Sequence, residues 1–508
     1  MARWPDCAVD AAQVSLHVVT RDRRGRAQWV LVGLLVVAWA FRLPPLLRSP
    51  FHPDEALYGY WGLLVARGRD PWLTTVPVDK PPLLPYAVAG LQLLFGEARV
   101  AVRLPGLMAG LLTVPLSSAL AKALYRDRWT AVATAVGVSL SPLAIQLSGS
   151  GFPDVVMVAF GAGACVAATR DRMGLAGLLA GLSFATKQTG LVWLPLLLLL
   201  RLASLRDPIL TLRSRLLAAG GWLLIAGLVF VWNGARVARG GDSFWQAGVV
   251  GYGGLRLIWP HELWGRLEAW SGAVGRLFGS SVVNGLLLVG LPVLIGVRAT
   301  RWAGARRGFA DILLVSFSFV YLLVHWLAAF PIWDRYLLPL VPSLAVLLGR
   351  IVRRAAAWPG LTTCSCRSAA GGVLLAVLLA VPAFDASAGR CPIGRERAAY
   401  DGIDDVVSFL RQLPEGSVVY HHWLGWHYHH ALFDAPVYLA YWPTPGWLAR
   451  DVQAFGGQEP RYVAFPAWES TGRVEAALRD AGYKLEPMPT TADRNGGRSF
   501  TVYRVSAL

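Results

Sequence analysis

The chain has 508 residues, of which 55% are hydrophobic and 16% are charged, and its formal net charge is +17. Ordinary globular domains contain about 25% charged residues, so this composition, with its recurring long apolar runs, excludes a soluble globular protein and indicates a multi-span membrane protein. The positive charge does not indicate nucleic-acid binding, because the arginines form short clusters between apolar runs, as they do in cytoplasmic loops.

The N-terminal region predicts a cytoplasmic arm followed by a first membrane span. Residues 1–28 are polar and basic, and Trp29–Leu47 is apolar apart from Arg42. Ala38-Trp39-Ala40 resembles a signal-peptidase site, but the apolar run continues beyond it, which favours an uncleaved span. Because basic segments stay in the cytoplasm, the residues that follow this span are predicted to lie on the outer side.

The stretch Phe51–Pro82 on that outer side is unusual for a connector between spans. It contains two adjacent carboxylates, Asp54 and Glu55, and a lysine, Lys80, that precedes two prolines, with aromatic residues between the charges. This mixture predicts half of an active site at a membrane face.

The later apolar segments predict about eleven transmembrane helices within residues 29–383. Leu83–Phe95 is shorter than the roughly 20 residues that a span requires, so we expect it to lie on the outer surface as a juxtamembrane helix. With that choice the later basic clusters fall on the cytoplasmic side. The predicted spans that follow are Leu104–Leu124, Thr130–Leu147, Asp154–Thr169, Gly174–Thr186, Thr189–Leu202, Leu216–Trp232, Val282–Val297, Ile312–Phe330, Leu337–Leu348 and Val373–Ala383.

Residues 384–508 change character and predict a small extracytoplasmic α/β domain. Alternating and helical apolar periods occur in this region at Tyr400–Leu413, Ser417–Tyr420, Tyr462–Phe465, Val474–Ala481 and Phe500–Val505. Between them, the histidine-rich run from His421 to His430 is interpreted as a polar, aromatic loop that faces the membrane surface or a substrate. A metal site in this run is the alternative, although no carboxylate or cysteine accompanies the histidines at close spacing.

The predicted topology places several acids and cations on the outer side. Asp54 and Asp154 are each at the start of a helix, where capping is the alternative to catalysis. Lys187 lies between two apolar arms, where a charge by default marks a functional site, with snorkelling to the headgroups as the alternative. Lys80 could instead contact lipid headgroups, and Arg335 with Tyr336 could anchor a helix end at the interface.

A long polar loop over residues 233–279 adds further candidates on the same side. Arg256, His261 and Glu262 are candidate donor- or acceptor-binding residues in this loop. The loop does not align with the family pattern described below, so its role stays open.

Several short motifs, in order, resemble the GT-C membrane glycosyltransferases, and more narrowly the branch of protein O-mannosyltransferases and the lipid A aminoarabinose transferase. The resemblance covers about Trp29 to Gly349. It is carried by His52-Pro53-Asp54-Glu55, Asp79-Lys80-Pro81-Pro82-Leu83, Arg103-Leu104-Pro105-Gly106, Pro153-Asp154-Val155-Val156, Ala185-Thr186-Lys187 and Arg335-Tyr336-Leu337-Leu338-Pro339. Two positions depart from the family pattern, Pro153 in place of threonine and Gln188 in place of glycine.

The resemblance implies the GT-C fold, a polyprenyl-phosphate-linked sugar as donor, and a lipid, glycan or protein hydroxyl as acceptor, at the outer face of a cytoplasmic membrane. Asp54 would be the general base and Asp154 the second acidic residue, with Glu55 in the same group. The phosphate would be bound by Lys80, Lys187, Arg335 and Tyr336. The Asp54–Glu55 pair could recruit Mg²⁺ or Mn²⁺.

The residue types suit this chemistry. A carboxylate can take the proton of an acceptor hydroxyl as it attacks the anomeric carbon, and the leaving phosphate needs cations rather than a strong acid. A single displacement of this kind inverts the anomeric centre. Two other functions are considered, a transporter or flippase of a lipid-linked or anionic substrate, and a non-catalytic assembly subunit. A transporter would need charges deep in several helices, with access from both faces.

Overall fold

Helices make up the first three-quarters of the protein, and a five-stranded sheet lies in the last quarter. The computed structural model describes residues 8–204, 212–251, 256–296, 305–357, 365–391 and 398–508. The first seven residues of the predicted N-terminal arm lie outside this set. The helices before the sheet are α1 (Ala8–Arg48), α2 (Pro53–Ala66), α3 (Leu83–Phe95), α4 (Arg99–Tyr125), α5 (Arg128–Leu140), α6 (Pro142–Ser148), α7 (Pro153–Thr169), α8 (Met173–Thr186), α9 (Trp193–Ser204), α10 (Leu212–Val237), α11 (Phe244–Gly251), α12 (Leu263–Gly275), α13 (Ser281–Gly296), α14 (Ala305–Leu327), α15 (Leu340–Ala355) and α16 (Ser365–Ser387).

The described chain contains five helices that are long and apolar enough to cross a membrane. A sixth span is added if α5 and α6 form one bent span. These five are Gln28–Arg48, Arg99–Tyr125, Leu212–Val237, Gly308–Leu327 and Cys366–Ser387. The chain is therefore a multi-pass membrane protein, but the predicted number of about eleven spans is not confirmed. Several predicted spans, such as Asp154–Thr169, form apolar helices of only 10–17 residues.

Helix α3 has the bounds that the sequence predicts, Leu83–Phe95. Pro82 precedes its first residue and Gly96 follows its last with a φ of 68°, a left-handed value that glycine adopts without strain. Helix α3 packs against α2 and α4, and Nε2 of Gln92 donates to the carbonyl of Gly59 in α2 at 3.0 Å. The short helix α3 therefore packs against and stabilises α2, the helix that carries Asp54.

A buried arginine in the first span supports a break between α5 and α6. The two helices meet at Ser141 with a bend of 56°. Pro142 has no N–H, so the carbonyl of Val138 loses its helical partner. The fully buried guanidinium of Arg42 donates to that carbonyl at 3.1 Å and to the carbonyl of Ser139 at 3.0 Å. Arg42 thus satisfies backbone groups that would otherwise be unpaired inside the helical body.

The C-terminal unit is a three-layer α/β structure, and this part of the predicted fold is confirmed. Its sheet has the order β2-β1-β3-β5-β4, with β1, β2 and β3 parallel and β5 antiparallel to both β3 and β4. Helices α17 and α18 cover one face of the sheet, and α19 and α20 cover the other. The elements are α17 (Ile403–Leu410), β1 (Val418–His421), α18 (Gly425–Ala431), β2 (Tyr438–Tyr441), α19 (Pro445–Phe455), β3 (Arg461–Pro466), α20 (Gly472–Asp480), β4 (Tyr483–Ala492) and β5 (Arg498–Ala507).

The histidine-rich run was predicted to be a loop, and this prediction is wrong. The run begins in strand β1 and continues into helix α18, which packs on α2. Nε2 of His427 donates to the carbonyl of Phe51 at 2.9 Å, and His429 stacks on Tyr60 with ring centroids 5.0 Å apart. Gly59 permits this contact, since a Cβ there would lie 2.5 Å from Cδ2 of His430. Helix formation buries His427 and His430 and partly buries His429 against α2, a tertiary effect that the local sequence does not show.

Ion pairs extend the contact between the C-terminal unit and the helical body. Arg99 binds Asp404 at 2.6 Å, and Arg69 binds Asp434 at 2.7 Å. Both pairs are partly exposed, so each contributes little stability by itself. The ion pairs instead orient the C-terminal unit, because they hold it over the segment that joins α1 to α4.

Candidate active site

The start of helix α2 is held by a buried ion pair between Glu55 and Arg103. Nε and Nη2 of Arg103 donate to the two Glu55 oxygens at 2.7 and 2.9 Å. The backbone N–H groups of His52 and Gly151 donate to the same carboxylate at 3.0 and 2.7 Å. Burial alone would raise the pKa of Glu55, but the charge of Arg103 and these hydrogen bonds hold the pKa below its ordinary value. Glu55 therefore ties α2 to the segment before α7.

Asp54, the preceding residue, faces a different arginine. Nη1 of Arg335 donates to Oδ2 of Asp54 at 2.7 Å. Burial raises the pKa of Asp54, but the positive charge of Arg335 outweighs burial, so the pKa lies below its ordinary value. The guanidinium of Arg335 also lies over the rings of Trp333 and Phe152, at 4.3 and 4.6 Å from their centroids. Its position is therefore fixed by two aromatic contacts as well as by the ion pair.

Asp154 and Lys187 form another buried pair. Nζ of Lys187 donates to Oδ1 of Asp154 at 2.6 Å, and both side chains are almost fully buried. Lys187 ends helix α8, and its Nζ lies 4.5 Å from the ring centroid of Tyr336. Asp154 lies in the first turn of α7, after Pro153. The helix break at Lys187 therefore places a cation against the start of the preceding helix, α7, 33 residues earlier in the chain.

Lys80 forms a third pair in the same region. Its Nζ contacts Oδ2 of the neighbouring Asp79, and the side chain of Lys80 is buried. The charge of Lys80 is among the groups that lower the pKa of Asp54. Nε2 of Gln188 donates to the carbonyl of Asp79 at 2.6 Å, which joins this loop to the residue that follows Lys187.

These three pairs form one cluster, which we call the charge cluster. It comprises Asp54, Asp79, Asp154, Lys80, Lys187 and Arg335, with the ring of Tyr336 between two of the cations. Its formal charges sum to zero. Within the cluster, Oδ2 of Asp154 and Nε of Arg335 are buried and have no hydrogen-bond partner among the described residues. Buried polar atoms normally have partners, so these two atoms indicate where a substrate group would bind.

Most predicted site residues meet in this cluster, whereas the loop residues do not contact it in the described structure. Arg256 and Glu262 form an exposed bidentate pair at 2.8 and 2.9 Å, and His261 is also exposed. The backbone of Arg256 pairs with Ala329, beyond the end of α14. These three residues therefore shape an exposed loop, and their predicted binding role stays a prediction.

Sequence reasoning did not identify the partners of the site residues. The motifs contain Asp79 without assigning it a role, Gln188 stands out only as a departure from the family pattern, and Phe152 and Trp333 lie outside the motifs. The available signal is an aromatic residue two positions before a motif charge, Phe152 before Asp154 and Trp333 before Arg335. The motifs also give no role to Tyr321, whose hydroxyl donates to the backbone carbonyl of Tyr336 at 2.5 Å and so helps to fix the backbone there.

The described residues do not form a metal site at the predicted Asp54–Glu55 position. The two carboxylates bind different arginines, and the Glu55 oxygens already accept four hydrogen bonds. Among the described residues, no group of three or more His, Cys, Asp or Glu side chains is arranged to hold a metal ion, and this includes the histidines of α18. The donor set therefore does not fit Mg²⁺ or Mn²⁺.

The helical body and the C-terminal α/β unit together have the GT-C fold, and comparison with solved membrane-protein structures confirms the predicted resemblance at this level. The crystal structure of ArnT from Cupriavidus metallidurans in the apo state matches with a TM-score of 0.64 and 15% identity, over 94% of this chain and 98% of that chain. The structure of the same ArnT bound to undecaprenyl phosphate matches with a TM-score of 0.61 and 16% identity, over the same shares.

In sequence, residues 79–232 match the model of the dolichyl-phosphate-mannose-protein mannosyltransferase family. This match includes Lys80, Asp154 and Lys187, whereas Asp54 and Arg335 lie outside it. No curated protein matches the chain significantly in sequence.

Proposed function

We propose that the protein transfers a sugar from a polyprenyl-phosphate donor to an acceptor hydroxyl, with inversion, at the outer face of a bacterial cytoplasmic membrane. The observation that carries this proposal is the charge cluster, in which two unpartnered buried atoms, an oxygen of Asp154 and a nitrogen of Arg335, accompany three cations. An enzyme that acts on a lipid phosphate needs such cations on one side of a membrane protein, next to a carboxylate base.

The donor phosphate binds among Lys80, Lys187 and Arg335. Each of these cations is already paired with a carboxylate, so an arriving phosphate replaces a carboxylate as a partner. Arg335 is the principal phosphate ligand, because its Nε is buried without a partner and guanidinium groups bind phosphate in a bidentate manner. During transfer the phosphate changes from a diester to a monoester and gains negative charge, which the same cations stabilise.

Asp54 becomes the general base when the phosphate takes over Arg335. The guanidinium lowers the pKa of Asp54 in the resting site, so partial loss of that partner raises the pKa and makes the carboxylate a better proton acceptor. Donor binding therefore activates the base. This order of events limits proton abstraction to sites that already hold the donor.

Asp154 and Glu55 have supporting roles. Oδ2 of Asp154 accepts a hydrogen bond from a sugar or acceptor hydroxyl, while Oδ1 keeps Lys187 in position. The Glu55 oxygens are already occupied, so Glu55 is a positioning residue that holds the first turn of α2. Tyr336 supports the phosphate site through its ring, which contacts Lys187.

The comparisons support a transferase over a transporter. ArnT, with which the fold is shared, binds undecaprenyl phosphate in one structure, and the matching family model describes a mannosyltransferase. The transferred sugar is a hexose or a pentose, and the acceptor is a lipid, glycan or protein hydroxyl. No separate observation favours the transporter.

The test is transfer by the purified protein from a radiolabelled polyprenyl-phosphate sugar. Asp54→Asn is expected to reduce release of label from the lipid by at least about 10²-fold, because general-base catalysis contributes roughly 10²–10⁴-fold. The same variant should still bind the donor, since Arg335 loses a competing anion. Asp405→Asn, an exposed carboxylate in α17, is the matched control. Normal label release by folded Asp54→Asn protein would rule out Asp54 as the base.

A further inference from the structure

The C-terminal unit exposes a group of aromatic side chains around a histidine and a glutamate. We call Trp423, Tyr441, Trp468, His422 and Glu469 the aromatic cluster. Trp423 is 55% exposed, Tyr441 54% and Trp468 53%. The two tryptophan rings meet edge to face at 6.2 Å, and the ring of His422 lies 4.8 Å from Trp423. Three large exposed rings gathered in one place on a domain surface indicate a binding site rather than isolated surface residues.

The aromatic cluster lies at the carboxyl ends of the three parallel strands. His422 and Trp423 directly follow β1, Tyr441 ends β2, and Trp468 and Glu469 follow β3. The chain leaves β1 toward β2 on one side and later returns to β3 on the other side of β1. In α/β sheets, ligands bind outside the carboxyl ends of the strands at such a reversal of strand order.

The polar members of the aromatic cluster are held in place and keep hydrogen-bonding capacity. Nδ1 of His422 is buried and has no hydrogen-bond partner among the described residues, and the nearest Glu469 oxygen lies 3.8 Å from it. That separation is too long for a hydrogen bond. Beneath them, the ring of Trp442 packs against His422 at 4.8 Å and is itself buried. A ligand hydroxyl could bond to Nδ1 of His422, and the Glu469 carboxylate, which also interacts with the Trp423 side chain, can accept a further hydrogen bond.

We propose that the aromatic cluster binds the sugar units of a neutral glycan. The faces of sugar rings carry C–H groups with partial positive charge, which pack on the negative faces of tryptophan and tyrosine rings. The hydroxyl groups of the sugar form hydrogen bonds with His422 and Glu469. These two side chains are the few fixed polar groups that orient the ligand. This inference extends the proposed function, on which it rests in one respect: the bound glycan is the acceptor or a part of it.

The position of the aromatic cluster relative to α2 supports an acceptor role. A series of ring contacts leads from the cluster to the helix that begins with Asp54. Tyr441 lies 5.8 Å from His421, His421 lies 5.4 Å from His429, and His429 stacks on Tyr60 of α2. A glycan held at the cluster therefore lies on the part of the C-terminal unit that is attached to the catalytic segment.

A lipid surface is the other ligand that exposed tryptophans bind, and the composition of the aromatic cluster argues against it. Glu469 is a half-buried carboxylate inside the group, and anionic headgroups would repel it. Membrane-binding surfaces instead combine aromatic residues with lysine and arginine. No lysine or arginine belongs to the cluster.

The test uses the full-length protein in nanodiscs and a panel of neutral gluco-, manno-, galacto- and arabino-oligosaccharides, with binding measured by saturation-transfer NMR. We expect at least one oligosaccharide to bind, and Trp423→Ala and Trp468→Ala each to weaken its binding at least roughly tenfold. Tyr438→Ala, an exposed aromatic at the other end of β2, is the matched control and should bind like the unaltered protein.

Three outcomes would overturn the proposal: no oligosaccharide binds, the tryptophan variants bind as tightly as the unaltered protein, or the variants instead lose binding to empty vesicles of the same lipid composition. Donor binding is measured on the same variants and should be retained, since they leave the charge cluster intact, whereas transfer of label to the oligosaccharide should fall together with oligosaccharide binding. Donor cleavage by the unaltered protein without glycan binding would refute this site alone, and glycan binding without donor cleavage would refute the proposed transferase alone.

Discussion

Lys187 and Asp154 are nearly inaccessible to solvent, so neither charge would be stable in its position without the other. Removal of one member of a buried ion pair leaves an uncompensated charge, which typically costs about 3–5 kcal/mol. Removal of both leaves no charge behind. This difference allows the structural and the functional contributions of Lys187 to be measured separately.

Lys187→Met alone is expected to lower the free energy of unfolding. The double variant Lys187→Met/Asp154→Asn is expected to recover most of the lost stability. Both should bind the polyprenyl-phosphate donor roughly tenfold or more weakly, because a phosphate ligand is lost. Binding to nanodisc-embedded protein and thermal unfolding are the two measurements.

Asp154→Asn alone is the control, since loss of a carboxylate does not remove attraction for an anion. If the stable double variant bound the donor as tightly as the unaltered protein, Lys187 would have only a structural role.

The motif residues could be predicted from sequence, but their pairings could not. Asp54, Asp154, Lys80, Lys187 and Arg335 stand in recognisable short motifs. The distinction between Asp54 and Glu55, however, depends on Arg103 and Arg335, which lie 48 and 281 residues away along the chain. Which carboxylate pairs with Arg103 and which lies in the charge cluster is therefore decided by tertiary packing.

Some helices and strands can be predicted from local sequence, whereas others depend on their neighbours in the fold. The bounds of α3 were predicted because Pro82 and Gly96 mark its ends locally. Strand β4 was missed because it contains Pro487 and Pro489, which usually argue against a strand. The strand exists because it lies at the edge of the sheet, where one side needs no hydrogen-bonded neighbour.

The break between α5 and α6 depends on Arg42, and its replacement tests that dependence. Arg42→Met leaves the carbonyls of Val138 and Ser139 without these donors, at a cost of about 1–3 kcal/mol for each unpaired buried group. We expect a lower unfolding temperature in detergent. Arg48→Met, at the exposed end of the same helix, is the control. Equal unfolding temperatures for the two variants would show that the bend holds without Arg42.

For the molecule as a whole, the C-terminal unit and the helical body are joined by buried imidazoles. Burial lowers the pKa of His427 to about 4 and that of His430 to about 3. Both histidines are therefore neutral in the folded protein at pH 7, whereas an unfolded chain binds protons at these positions below a pH of about 6.5. Since the unfolded state binds more protons between these values, stability rises with pH across that window and falls as the pH is lowered.

Acidification from pH 7 to pH 4 is thus expected to weaken the attachment of the C-terminal unit, by roughly 3 kcal/mol per imidazole. Backbone hydrogen exchange in residues 425–431 and in α2 measures how much the attachment weakens. His427→Gln retains a donor near the Phe51 carbonyl without a titrating ring, and should flatten the pH dependence. Exchange rates that do not change between pH 7 and pH 4, after correction for intrinsic rates, would contradict this account.

The pairing of every cation in the charge cluster with a carboxylate also has a consequence for selectivity. A small free anion, such as inorganic phosphate, gains little binding free energy at the charge cluster. Each cation that it contacts must first lose its contact with a carboxylate. A polyprenyl phosphate brings the additional free energy of its hydrocarbon tail packed along the apolar helices, about 0.8 kcal/mol per buried CH₂. Under the proposed function, the internal neutrality of the charge cluster would favour anions attached to a lipid over free inorganic phosphate.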